Sequence, residues 1–260
     1  MKLELSSASV PMLIAVDSVP STNTELVRRA SAHDLPNYTT LLTQDQTAGR
    51  GRLGRQWIAP GGTALAVSVL VRPKGDRAFG PRDFGWLPIA AGVAMVAAVS
   101  SVLPHRSDVA FKWPNDVQID GRKVCGILAE LLPGEDGVVI GSGINLTMTS
   151  DQLPVPTATS IMLAGGPIDC ADRLLSHYLR ALRGLIDQYF SADADADASG
   201  LLVDARAACS TIGREVRVEL PGGGELRGTA SDLDRDGRLV VVTTGQRVEA
   251  VAAGDVTHVR

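Results

Sequence analysis

At 260 residues the chain can bury a sizeable core, and its length suits one large domain with a small appendage. Its 25 Lys and Arg against 29 Asp and Glu leave a formal charge of -4, which argues against a nucleic-acid-coating protein and makes any basic cluster a local matter. Cys125, Cys170 and Cys209 lie far apart, lack the CxxC spacing of zinc sites and are too few for a disulfide framework, so they read as buried thiols in a reducing, cytoplasmic setting.

The N-terminal MKLELSSASVPMLIAV carries Lys2 and Glu4 and breaks its apolar run with Ser and Pro, so no secretory core is expected. Ser21–Ala32 is predicted helical behind a Ser/Thr cap. Short apolar runs bounded by Gly and Pro predict strands at 39–44, 64–72, 125–132 and 137–146. The uncharged stretch Trp86 to Leu103 invites a membrane reading. From Pro88 on, however, a helix spans about 24 Å, short of the roughly 30 Å hydrocarbon core, and its Ala and Ser predict a core helix against a sheet. The PGEDG link between the last two strands reads as a hairpin, so the sheet should be partly antiparallel rather than doubly wound.

Ala171–Phe190 places Leu174, Leu175, Tyr178, Leu179, Leu182, Leu185, Ile186 and Tyr189 on one helical stripe. SADADADASG, 191–200, is expected as a solvated loop, since its alternating carboxylates lack the Gly and distal Glu of a calcium loop. After Ile212 the texture changes to alternating strands separated by PGGG, DRDG and GQ, the pattern of a small β-barrel or sandwich. The predicted organisation is therefore a mixed α/β (α+β) domain, 1–211, and a small β domain, 212–260.

Within the acidic chain, AGRGRLGRQW packs Arg50, Arg52 and Arg55 among Gly49, Gly51 and Gly54. The glycines fit G-x-G-x-x-G, but Pro60 and two glycines follow where a dinucleotide fingerprint needs a helix. Asp83-Phe84-Gly85 spells the kinase DFG, yet no H-R-D loop or V-A-I-K strand accompanies it and the spacing is too short. A solvated arginine turn is the plain alternative. Alternating glycines can instead turn backbone N–H groups into an anion nest, while guanidiniums grip phosphate or carboxylate in pairs. Downstream, FKWPNDVQIDGRKVCGILAE sets Lys112, Asn115, Asp116 and Lys123 between apolar strand residues, with Gly121 at a hairpin turn, which alone is compatible with a solvated lysine tip.

Taken together these segments resemble biotin protein ligases: STN (Ser21–Asn23), QTAGRGRLGRQW (Gln46–Trp57), KWPNDV (Lys112–Val117), GRKVCGIL (Gly121–Leu128) and GSGINL (Gly141–Leu146), in family order over nearly the whole chain. The resemblance implies a mixed central sheet flanked by helices and a small C-terminal SH3-like β-barrel. It implies an enzyme that activates biotin with ATP and Mg2+ to biotinyl-5'-AMP, then transfers biotin to a lysine of the biotin carboxyl carrier domain of a biotin-dependent carboxylase.

Carried over position by position, Ser21, Thr22, Asn23 and Gln46 are expected at the biotin end, and Arg50, Gly51 and Arg52 over biotin and its carboxylate. Arg52 and Arg55 fall near the phosphates and Trp57 over the adenylate, with Lys112 and Asn115 on the nucleotide side. Asp116 is a candidate Mg2+ ligand, and Lys123 is expected at the carboxylate and α-phosphate. Gly126 and Asn145 fall where the family meets adenine and ribose, Gly126 bordering the biotin set. Arg52 and Lys123 are the expected catalytic residues. Leu53 departs from the family, where a charged residue is common.

Family members with a DNA-binding repressor domain carry it N-terminal to STN. Only twenty residues precede STN here, so no repressor activity and no nucleic-acid or membrane partner is expected, in a monomer or weak homodimer. The nearest rival is a lipoate ligase or transferase, against which the pairing of GRGRLGR with KWPND weighs. An RNA-binding protein is disfavoured by charge.

Overall fold

The computed structural model describes residues 1–73, 79–104, 107–220 and 223–259, so Pro221 and Gly222 of the PGGG break lie outside the described residues. In chain order the first half holds α1 (Glu4–Ser7), β1 (Leu13–Ala15), α2 (Thr22–Ala32), β2 (Thr40–Thr43), β3 (Gly49–Arg50), β4 (Gln56–Trp57), β5 (Ala64–Val71), α3 (Leu87–Ser100), β6 (Val109–Lys112), β7 (Asp116–Ile119), β8 (Arg122–Leu131) and β9 (Val138–Asn145). The second half holds α4 (Ala171–Ser191), α5 (Leu201–Ala208), β10 (Glu215–Glu219), β11 (Glu225–Leu233), β12 (Leu239–Thr243), β13 (Val248–Val251) and β14 (Asp255–His258). This is the mixed α/β architecture expected, with helices on a central sheet and a separate C-terminal sheet.

The central sheet runs β1-β2-β5-β9-β8-β7-β6. Only β1 and β2 pair in parallel; the remaining neighbours are antiparallel, as the PGEDG hairpin foretold. Strand alternation decides which residues meet which helix. Leu65, Val67, Val69 and Val71 of β5, with Val138, Ile140 and Ile144 of β9, turn to the core beneath α3 and α4. Ala66, Ser68 and Leu70, with Val139, Gly141 and Gly143, turn to the opposite face; Leu70 and Val139 pack there with Leu26 and Ala30 of α2.

By length and composition the helical run Pro81–Ser100 could cross a membrane. It is spent inside the fold instead: nine residues of α3 are buried, and Gly92 lets the helix approach Phe111 so closely that a Cβ would strike the ring. Helix α4 buries its predicted stripe beside α3, and Asp172 near its start accepts from the backbone N–H groups of Leu5 and Ser6, docking α1. In the acidic break, Asp195 accepts from Asp197 and Ala198 N–H, an Asx-type turn ahead of α5.

The C-terminal domain departs from the expected barrel. Its strands form an open antiparallel sheet, β13-β12-β11-β10-β14, in which β14 takes its partner from β10 and β13 from β12, leaving both as edges. The sheet is fastened to the first domain by its β11–β12 turn: Trp86 Nε1 donates to Arg235 O (2.7 Å) and Trp113 Nε1 to Gly237 O (3.0 Å). Its buried Val216, Val218, Leu239 and Val241 belong to the same apolar cluster as β5 and α3.

Candidate active site

A cavity of about 350 Å³ opens on the α2 face of the central sheet, closed by the β3–β4 hairpin on one side and β14 on another. One end is neutral and rich in hydrogen-bonding groups. Ser21 caps α2, its Oγ accepting from Thr24 N (3.5 Å), which brings Thr22 and Asn23 to the cavity. Thr22 donates through N (2.8 Å) and Oγ1 (3.1 Å) to Gln46 Oε1. Ser68, projecting from the β5 floor, places its hydroxyl 2.8 Å from Thr22 Oγ1 and 2.6 Å from Asn23 Oδ1.

The other end is cationic. Arg50, Arg52, Arg55, Lys112 and Lys123 all line it. Parity alone would send Lys123 into the core, since Gly126 and Leu128 of β8 face the cavity while Cys125 and Ile127 belong to the α3 side. A bulge reverses this. Gln118 of β7 pairs with Lys123 and Val117 with Cys125, so Val124 is the extra residue and Lys123 emerges on the cavity face. Its Nζ lies 2.6 Å from Asp116 Oδ1, running over Gly126, where a Cβ would stand 3.1 Å from that nitrogen. The backbone is held from outside the sheet: Lys123 N donates to Thr157 O and Thr159 N to Lys123 O, both at 2.8 Å.

Burial pushes the Arg52 guanidinium below its ordinary pKa, opposed by Asp255 and Asp116, and burial pushes the Lys112 ammonium down, opposed by Asp116. Arg52 donates to Asn115 Oδ1 (3.0 Å), whose Nδ2 in turn donates to Ile127 O (2.9 Å). Arg55 pairs with Asp255 of β14. The hairpin differs from the expected anion nest. Gly51 N donates to Arg55 O and Arg55 N to Arg52 O, so these N–H groups close the turn and the anion-gripping capacity rests with the guanidiniums. Gly54 supplies the positive φ (74°) the turn demands, while Leu53 adopts φ 54° at an exposed tip. Trp57 returns from the hairpin over β9 at Gly143, where a Cβ would fall 2.5 Å from the indole.

The cavity thus gathers Ser21, Thr22, Asn23, Gln46, Arg50, Gly51, Arg52, Arg55, Trp57, Lys112, Asn115, Asp116, Lys123 and Gly126. Asn145 does not join this lining: it is buried and donates through Nδ2 to Thr159 O (2.9 Å), beside the segment that holds Lys123. Sequence reasoning missed Ser68, Glu130 and the β14 contribution, because a strand serine, a strand glutamate and a contact 200 positions away carry no local pattern. Among the described residues no group of three His, Cys, Asp or Glu side chains could hold a metal ion. Asp116 already stands against Lys123, a donor set that fits Mg2+ carried by phosphates and not a protein cage.

This geometry, a neutral hydrogen-bonding end joined to a cationic end on a mixed sheet, defines the class. Residues 15–146 match the Biotin/lipoate A/B protein ligase family model and residues 211–259 the Biotin protein ligase C terminal domain model. The chain belongs to the biotin/lipoate protein ligase family, and its C-terminal match sides with the biotin protein ligases. It is 38% identical over 249 residues to the biotin–[acetyl-CoA-carboxylase] ligase of Mycobacterium tuberculosis, covering 95% of this chain and 89% of that one. It is 30% identical to the bifunctional ligase/repressor BirA of Escherichia coli, over 93% of this chain and 72% of that one. The biotin protein ligase of Aquifex aeolicus in complex with biotin and ATP superposes with a TM-score of 0.75 at 25% identity, covering 96% and 99% of the two chains.

Proposed function

We propose that this enzyme joins biotin to ATP, forming biotinyl-5'-AMP and pyrophosphate, and then transfers biotin to a lysine of a biotin carboxyl carrier domain. The observation that carries this is the two-ended cavity: Thr22, Asn23 and Gln46 offer neutral donors and acceptors, with Ser68 behind Thr22 and Asn23, and five cations line the rest. A ureido ring satisfies the first end. The dithiolane of lipoate has no N–H or carbonyl to exchange into those hydrogen bonds, which disfavours the lipoate reading.

In the first step a biotin carboxylate oxygen bonds to the α-phosphorus as the bond to the pyrophosphate oxygen breaks. Two anions must meet, so Lys123 and Arg52 contribute by positioning and by stabilising charge on the in-flight oxygens, with Arg50 and Arg55 closing the hairpin side. Lys112 and Asn115 serve the nucleotide, and Trp57 covers the adenylate. Asp116 is the carboxylate that would meet a Mg2+ ion carried by the triphosphate, and such an ion would supply neutralisation of the phosphate charge. In the second step the neutral carrier amine bonds to the acyl carbon, AMP leaves and the nitrogen loses a proton; no nucleophilic side chain is required.

We divide the chain at 211/212 and place the enzyme in the cytoplasm, where its three free, buried thiols persist. The test is biotin-dependent exchange of pyrophosphate into ATP, followed by labelling of a carrier domain. Exchange and labelling with biotin are expected; exchange driven by lipoate and not by biotin would reverse the assignment.

A further inference from the structure

We propose that His258 is a positioning residue for the nucleotide end of the cavity: through the Thr211 hydroxyl it ties β14 to the backbone of Trp113, which follows Lys112. Strand parity puts Asp255 and Thr257 on one face of β14 and Val256 and His258 on the other. The first two line the cavity, while Val256 lies in the shared core and His258 pairs across β10 with buried Val216. Thr211, in the link between the domains and fully buried, accepts from Trp113 N at 3.1 Å and stands 3.3 Å from His258 Nε2. Beside it Ser210 N donates to Phe111 O at 2.8 Å, so the link runs along β6 to that strand's end.

The proton count sets the direction of this relay. Trp113 N–H can only donate, so Thr211 Oγ1 accepts there, and the acceptor within reach of its own proton among the described residues is His258 Nε2. The ring is then neutral, with its proton on Nδ1. Its surroundings agree: burial, then Lys112 at the end of β6 and Arg214 ahead of β10, hold its pKa down at about 4. Glu215, next to Arg214, instead accepts from Thr229 Oγ1 at 2.6 Å, and Val216 is apolar. The relay thus runs from the lysine-bearing end of β6 to the strand on the cavity's other side, and slack in any link lets those two walls drift apart. Only the choice of ligand at each end rests on the biotin and ATP reading.

The test is steady-state kinetics of the whole chain with His258→Leu, which removes the acceptor, His258→Gln, whose Oε1 can take the Thr211 proton, Thr211→Val, and the Leu–Val double variant. His258→Leu should raise the KM for ATP about three-fold or more, the worth of one hydrogen bond, with kcat and the KM for biotin within about two-fold of wild type. His258→Gln should restore most of that loss. Because both single changes cut one relay, the double variant should cost no more than the larger single effect, whereas independent sites would multiply.

A second readout needs no ligand. The unfolded chain takes up a proton on His258 below about pH 6.5 and the folded chain only near pH 4, so the wild type loses stability as pH falls through that window. Chemical unfolding at the two ends of the window should show a smaller acid loss in His258→Gln. An acid loss as large in that variant as in the wild type would overturn the neutral relay, and multiplying effects, or equal rises in both KM values, would overturn the positioning role. Should Thr211→Val not fold, the contrast of Leu with Gln and the acid loss decide. Failure of biotin-dependent exchange in the wild type would strike the function and leave the acid loss standing.

Discussion

Five cations sharing one cavity repel each other, and the structure balances them with Glu130, Asp116 and Asp255, which pair with Arg50, Lys123 and Arg55. Each pairing is one an anionic ligand can exchange. Arg52, bound through neutral Asn115 and a backbone oxygen and partly buried, needs no such exchange, so its charge is the most directly available. Arg52→Ala and Lys123→Ala should each slow adenylate formation by about 10²-fold, the usual effect of losing one transition-state donor, measured in a single-turnover assay. Lys112 gives a pH signature. Burial holds its pKa below the ordinary lysine value, and a bound phosphate raises it again, so nucleotide binding takes up a proton between the two values. The KM for ATP should therefore climb as pH rises through the depressed value, and Lys112→Arg, whose charge persists, should flatten that climb.

The decisive elements are a two-strand hairpin, a bulge and the bare middle of β9. Gly143→Ala would push its Cβ into the Trp57 indole, and the hairpin would have to lift; the KM for ATP should rise about tenfold or more with circular dichroism unchanged. The sequence disclosed the long elements well, because α4 and the strand runs have clear periods and the GRGRLGR and KWPNDV segments are specific. It disclosed less where tertiary placement decides. Eight-residue α5 follows an acidic break and shows no stripe, and β1 is three residues long. The bulge at Val124 that aims Lys123 at the cavity is a property of pairing with β7, invisible in β8 alone. Asn145, expected against the nucleotide, lies buried with its Nδ2 donating to Thr159 O, a placement that β9 alone does not disclose.

At the scale of the molecule the two sheets behave as one body. Residues of both sheets share one buried cluster, Arg52 donates to Gly254 O, and two indoles donate to the β11–β12 turn. Calorimetry should show one transition, and Trp113→Phe, which strands the buried Gly237 carbonyl, should lower stability by about 1–3 kcal/mol without splitting the peak. Two resolved peaks would contradict the shared core. Those indoles also make the protein optically legible. Of its three tryptophans, Trp57 rides the hairpin, while Trp86 and Trp113 are fixed at the junction of the sheets. Emission that changes on adding ligand and vanishes from the signal in Trp57→Phe reports the hairpin alone, whereas emission kept by that variant reports the junction, so one unlabelled sample can time closure separately from any loosening between sheets.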